Sequence, residues 1–213
     1  PYTLLRLGQN PPSSPAEVQA HLEALGEAYG ELLKGVSERP VLLQEPALIL
    51  DRAEEDLPHL LKLYRLLGTQ APLVLLTYYL PLKPQVAEAL ADLPLRGLGL
   101  VYRPGTPLPR LSPDTALVLG VVEGQGVWRT DLERLRKDLD PLVEAGGEVW
   151  LAPKAPLYHL PWEVAETLPQ ELQGRLAFAK ERLRELALLK ALLRGEGVEE
   201  AQAWYTPPPA GAV

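Results

Sequence analysis

The stretch ALVLGVVEGQGVWRTDLERL, Ala116 to Leu135, decides the fold. Leu117, Val118, Leu119, Val121 and Val122 form an apolar run with the length of a buried strand, and Glu123-Gly124-Gln125-Gly126 is a polar, glycine-rich loop. Thr130 and Glu133 follow, three apart, just ahead of Leu135 and Leu139. That is the spacing of a capping box, in which each side chain accepts the other residue's orphan backbone N–H. Strand, loop and capped helix make one βα unit, with its polar residues at the carboxyl end of the strand.

Moving outward, the unit recurs. Tyr2 to Leu7 reads as a first strand ending at Gly8, and Ser14, Pro15 and Glu17 then start a helix whose apolar residues Val18, Leu22, Leu25, Tyr29, Leu32 and Val36 fall at steps of three and four. Val41 to Leu43 is a short apolar run of the kind a parallel strand shows when both its faces are covered, and it stops at Gln44, Glu45 and Pro46. A helix carrying Leu57, Leu60, Tyr64 and Leu67 tolerates Pro58 in its first turn. Leu73 to Leu76 form the third strand, ending in Thr77, Tyr78 and Tyr79; a short helix at Val86 to Leu90 leads to the fourth, Gly97 to Tyr102, followed by Arg103. The proline-rich connection from Arg103 to Pro113 is not expected to be a full helix. Glu148 to Ala152 make a sixth strand, and a last helix spans about Leu168 to Arg194 with Leu172, Leu176, Ala179, Leu183, Leu186, Leu189 and Leu193 on one stripe until Gly195 and Gly197 stop it.

Six such units predict a parallel sheet, and they fit a (β/α)8 TIM-type barrel short of its first two strands. The rival is an open doubly wound sheet, against which stands the lack of a glycine-rich dinucleotide fingerprint after the first strand. The barrel domain is expected over residues 1–197, with 198–213 as a linker or tail. The sequence opens at Pro1 inside a strand-like run, so it is expected to be part of a longer chain.

Composition narrows the function. A net charge of −7 with no dense basic run argues against nucleic acid, and no apolar run reaches the roughly 18 residues of a membrane span. A cytoplasmic location is expected, and 23 prolines with neither Cys nor Met resemble a heat-adapted protein. Without cysteine, thiolate catalysis and every Cys-containing zinc pattern fall away. His21, His59 and His159 lack ligand-like spacing, so no metal site and no catalytic residue is assigned. Candidates for binding stand at strand ends: Glu45, Tyr78, Arg103, Glu123, Lys154 and His159, with Tyr102 beside them. Each also has a structural reading. Glu45 and Glu123 would cap helices or pair with Arg103 and Arg129, and His159 would be a hydrogen-bonded loop histidine. Gly124 and Gly126 would mark a tight turn. The alternating charges of the last helix, from Arg175 through Arg182 and Glu185 to Arg194, would be a solvated face. Trp128, Trp150 and Trp162 would pack at the rim.

Several segments, in order, resemble the amino-terminal barrel of cobalamin-independent methionine synthase: Gln44-Glu45-Pro46-Ala47-Leu48, Leu75 to Tyr79, Val121-Val122-Glu123-Gly124, Val127 to Leu132, Leu157 to Pro161 and Leu176 to Lys180. Pro1-Tyr2-Thr3 resembles the family's third strand. The resemblance implies two (β/α)8 barrels in the whole protein. The carboxyl-terminal one, in the same chain or as a separate subunit, would carry zinc and homocysteine. The amino-terminal one would help hold the polyglutamate tail of methyltetrahydrofolate, with no cofactor of its own. The alternative is a non-catalytic barrel acting as an interaction module for a separate zinc-bearing partner; a third reading is an independent barrel enzyme using Glu45, Glu123 or His159. Departures fall at polar strand ends. Gln44 replaces the family's Asp, Gly99 and Val101 stand where it has His and Asp, Gly124-Gln125-Gly126 replaces Gly-Arg-Asn, and Lys154-Ala155-Pro156 replaces Ser-Cys-Ser.

Overall fold

A computed structural model describes residues 1–36 and 38–207. The chain divides into two compact units, Pro1–Val118 and Leu119–Val213.

The first unit runs α1 (Tyr2–Leu7), α2 (Pro15–Lys34), β1 (Val41–Gln44), a 3-10 turn over Pro46–Ile49, α3 (Arg52–Glu55), α4 (Leu57–Gly68), β2 (Leu73–Leu76), α5 (Pro84–Ala91), β3 (Gly97–Val101) and the start of β4 (Ala116–Val122). Its strands lie in chain order, β1-β2-β3-β4. β1 pairs with β2 in parallel from Val41↔Leu73 to Gln44↔Leu76, and β2 with β3 from Val74↔Gly97 to Leu76↔Gly99. Leu60, Leu67, Leu75, Leu90 and Leu98 are fully buried around this sheet, each contributing about 1.5–3 kcal/mol by its removal from water. Ser14 and Glu17 close the expected capping box on α2. The connection after Arg103 holds no helix.

The expected first strand is a helix. Along Tyr2–Leu7 the buried residues are Tyr2 and Leu5, three apart, while Leu4 and Leu7 are exposed; a half-buried strand would alternate. The carboxylate of Glu45 accepts the N–H groups of Tyr2 at 2.8 Å and Thr3 at 2.6 Å, satisfying donors that a helix start leaves orphaned. The six expected strands therefore become five among the described residues.

The second unit continues β4 and adds α6 (Leu132–Glu144), β5 (Val149–Pro153), α7 (Gln170–Gln173), α8 (Ala179–Leu193) and α9 (Val198–Trp204). β5 lies beside β4, tied at its end by the Lys154 N–H donating to the Val122 carbonyl. Several expectations change here. The N-cap of α6 is Asp131, which accepts from the Arg134 N–H; Thr130 is engaged elsewhere. The long last helix is broken: Leu176 makes an isolated bridge to Trp128 and the Ala177 N–H donates to Val127, so the backbone there is extended and α8 begins only at Ala179. The stripe on α8 is rotated, with Leu183 exposed while Arg182 and Glu185 are buried. The stretch expected as a tail opens with α9, which buries Ala201 and Trp204; Pro208 and Pro209 of the expected linker lie outside the described residues.

Candidate functional site

The carboxyl end of β1 presents Glu45, which is fully buried. Besides the two amides of α1, its Oε1 accepts from the Tyr64 hydroxyl at 2.9 Å, and the nitrogen of Pro1 lies 2.6 Å away. Burial, and then the charge of Glu45, hold the Tyr64 hydroxyl well above the usual tyrosine pKa. A second carboxylate, Asp56, accepts from the Tyr2 hydroxyl at 2.8 Å and from Arg6 Nε at 2.8 Å. Burial first, with Asp56 reinforcing it, raises the Tyr2 hydroxyl above its ordinary range. Glu45 is thus a helix cap and a strut, as its structural reading expected.

At the end of β2, Thr77 donates its hydroxyl to the Gly99 carbonyl at 2.7 Å. The next residues turn sharply: the Leu80 N–H donates to the Tyr78 carbonyl at 3.0 Å, and Tyr79 between them has φ +75°. This is a γ-turn in the left-handed region, which costs a non-glycine residue about 1–3 kcal/mol. The half-buried rings of Tyr78 and Tyr79 meet edge to face at 6.3 Å, and burial raises the Tyr78 hydroxyl pKa. β3 is followed by buried Tyr102 and exposed Arg103, whose carbonyl accepts the Thr106 N–H across a turn with Gly105 at φ +83°. A side chain at Gly99 would require Leu76 to shift. A Cβ there would stand 2.6 Å from Leu76 Cδ2 and 3.0 Å from Leu76 Cα.

In the second unit, Glu123 and Lys154 come together at 2.6 Å, so the charge partner of Glu123 is Lys154 rather than an arginine. Gly124 is required by a close approach: its Cβ would lie 2.2 Å from the Ala155 carbonyl oxygen. That contact explains this glycine without a phosphate. His159 is exposed, its ring 4.2 Å from that of Tyr158. Trp162 is 64 % exposed, so it does not pack at the rim as expected, while Trp128 and Trp150 are half-buried.

Of the residues that sequence reasoning placed on a solvated face, Lys180, Arg184, Lys190 and Arg194 are exposed, but Arg182 and Glu185 are buried in a hydrogen-bonded cluster. Arg182 Nη1 donates to Glu185 at 2.6 Å and to the Thr130 hydroxyl at 3.1 Å, and its Nη2 donates to the carbonyls of Gly126 at 2.9 Å and Trp128 at 2.7 Å. Glu185 also accepts the Thr130 N–H at 2.7 Å, the Thr130 hydroxyl at 2.9 Å and the Trp204 indole N–H at 3.2 Å. The guanidiniums of Arg129 and Arg184 lie 3.9 and 4.8 Å from the Trp204 ring centroid. Arg129 also donates to the Trp204 carbonyl at 2.9 Å, and burial lowers its pKa. Arg182 and Glu185 stand three apart on one helix face, a spacing that fits a buried pair as well as a surface one, so spacing alone did not mark them.

Among the described residues no three His, Cys, Asp or Glu side chains gather as a metal-binding set, and no helix is long and apolar enough to cross a membrane. The candidates fall into three groups: Glu45 in the α1 strut, Tyr78 and Arg103 at neighbouring strand ends, and the pair Glu123–Lys154 with His159 in the loop beyond it.

The comparisons give this α/β chain a family. Residues 1–146 match the family described as cobalamin-independent synthase, N-terminal domain, and the chain belongs to it. It is similar to 5-methyltetrahydropteroyltriglutamate-homocysteine methyltransferase from Herpetosiphon aurantiacus, 35 % identical over 215 residues that cover 95 % of this chain and 28 % of the relative. It is also similar to the proteins of the same name from Ralstonia pickettii, 35 % identical over 88 % of this chain and 26 % of that one, and Saccharophagus degradans, 37 % identical over 82 % of this chain and 24 % of that one. The chain spans about a quarter of the length of these relatives.

Proposed function

We propose that this chain is part of the amino-terminal barrel of a methionine synthase-like methyltransferase, which moves the methyl group of a 5-methyltetrahydrofolate polyglutamate to the sulfur of homocysteine. Its own part is to hold the scaffold and position the folate substrate, in a cytoplasmic protein whose zinc chemistry belongs to a second barrel. Family membership over residues 1–146 supports the reaction class. The observation that carries the positioning role is the commitment of the strand-end carboxylates. Glu45 caps α1 and Glu123 pairs with Lys154, so neither is held ready to transfer a proton. The described residues also offer no three-ligand set for a catalytic zinc, so no step is assigned to a metal held here. Binding energy from a part of the substrate remote from the reacting atoms is the contribution left to such a domain.

The test is a methyl-transfer assay in which a zinc-bearing, homocysteine-binding barrel is supplied with and without this chain, in the same polypeptide or as a separate protein. The expected result is a lower KM for 5-methyltetrahydropteroyl triglutamate when the chain is present, and a smaller effect on the monoglutamate. An unchanged KM for both substrates would sink the reading. Methyl transfer by the chain alone, lost in Glu123→Gln or His159→Ala, would replace it with an independent enzyme.

A further inference from the structure

Residues 198–207, which open with α9, pack against the cluster around Glu185. We propose that this segment is a hinged strap. It opens as a unit while β4, α6 and α8 stay folded, and its docking fixes the loop that follows β4 and begins with Glu123.

α9 cannot stand alone. It has 7 residues, short of the roughly 12–15 at which an isolated helix is even marginal, and it starts at Gly197, which has no side chain to cap it. Its helicity comes from docking, through the buried side chains of Ala201 and Trp204. The hinge lies just ahead. Gly195 and Gly197 take φ +79° and +68° on either side of exposed Glu196, angles that glycine adopts without strain. A Cβ at Gly195 would meet nothing within 4 Å, so this glycine serves the backbone angle and not a close contact. The joint can therefore turn without disturbing packed side chains.

Three arginines from three places in the chain form the seat. Arg129, ahead of α6, sets its guanidinium 3.9 Å from the Trp204 ring centroid and donates to the Trp204 carbonyl at 2.9 Å. Arg184 of α8 lies 4.8 Å from the same ring and donates to Glu200 at 2.8 Å, and Arg175 donates to the Pro207 carbonyl. The bonds of Arg184 and Arg175 are exposed, where each is weak. The coupling runs through Glu185. Its Oε1 accepts both the Trp204 indole N–H at 3.2 Å and the Thr130 N–H at 2.7 Å. Its Oε2 accepts from Arg182, whose Nη2 holds the carbonyls of Gly126 and Trp128. With the strap closed this pair is out of water, where bonds between charged groups are strongest; with it open, water competes for them. Two side chains thus link the strap to the β4 loop.

The chain has no cysteine, so one introduced thiol reports opening without background. Ala201→Cys places it beneath α9 and Leu189→Cys places it in the core of α8, both positions being buried. Under native conditions the thiol at position 201 is expected to react with an aromatic disulfide reagent about 100-fold faster than the one at 189, and with little dependence on urea, as for a local opening. Adding Trp204→Ala is expected to raise the rate at 201 by about tenfold more, as for the loss of the ring and its indole bond. The same substitution is expected to speed hydrogen exchange at residues 126–130 while the amides of Leu119 to Val121 in β4 keep their protection. Lys180→Ala, exposed on α8, is expected to change neither reading. If Leu189→Cys fails to fold by circular dichroism, Leu139→Cys on α6, equally buried, takes its place. Equal labelling rates with equal urea dependence at 201 and at the core position would overturn the strap, since the segment would then open only with the unit around it. Faster labelling at 201 with unchanged exchange at residues 126–130 in Trp204→Ala would overturn the coupling to the β4 loop.

Discussion

Each unit holds a fully buried carboxylate, Glu45 in the first and Glu185 in the second, and the two are held differently. Glu45 has no side-chain cation. It is held by two helix amides and a tyrosine hydroxyl, with the Pro1 nitrogen beside it. Glu185 is paired with a guanidinium that is itself fully buried, and both share Thr130. An acceptor served by dipoles loses one good hydrogen bond at a time. An ion pair inside protein loses its balance all at once, because the partner left behind is an uncompensated charge. The loop after β4 rests on the second arrangement; the start of the first helix rests on the other, with the Arg6–Asp56 pair adding an ion pair further along it.

The sharpest way to break this comparison is to remove one member of the pair. Arg182→Leu should cost about 3–5 kcal/mol in urea unfolding followed by circular dichroism, and Arg182→Leu with Glu185→Leu should cost less than Arg182→Leu alone. A double variant worse than the single would mean that the pair acts mainly through its bonds to the loop. Glu45→Gln should cost less, about 1–3 kcal/mol, since the amide keeps one acceptor and turns its NH2 towards an N–H donor. Equal losses at Glu45 and Glu185 would erase the distinction. A third test uses pH. Tyr2 and Tyr64 have folded-state pKa values raised above their unfolded value of about 10, so the stability they contribute is complete below that pH. It is lost as pH rises from about 10 through their folded values. Thermal melts should therefore hold steady to about pH 9 and fall beyond 10, and Tyr64→Phe should flatten that alkaline limb at the expense of stability near neutrality. Trp204→Phe should cost about 1 kcal/mol for its indole N–H bond to Glu185 and part of its cation–π contacts. Smallest of all, Lys180→Ala removes an exposed pair with Glu163 and should leave the unfolding midpoint where it was.

These arrangements also mark how far the sequence could be read. The capping box at Ser14 and Glu17 and the strands β1 to β4 were legible because neighbours in the chain determine them. Tyr2–Leu7 was not: six residues fit either period, and the deciding partner, Glu45, is some forty positions away. Thr130 failed in the same way, since Asp131 beside it took the cap and Glu185, 55 positions on, took the hydroxyl. The candidate residues were correctly placed at strand ends, but their roles were not visible. Exposure decides whether a carboxylate such as Glu45 is a reagent or a strut, and exposure is a tertiary property. Arg182 and Glu185 were misread for the same reason, their alternating charges being the pattern of a wet helix face.

The contact between Gly99 and Leu76 also sets how this part of the sheet would answer a larger residue. A Cβ at position 99 would stand 2.6 Å from Leu76 Cδ2, the far end of a flexible side chain, and 3.0 Å from Leu76 Cα. A rotamer change relieves the first approach, while the second asks the strands to part by a few tenths of an ångström. The sheet would therefore register the exchange as a change in strand spacing, shared along the β2–β3 ladder rather than confined to one side chain.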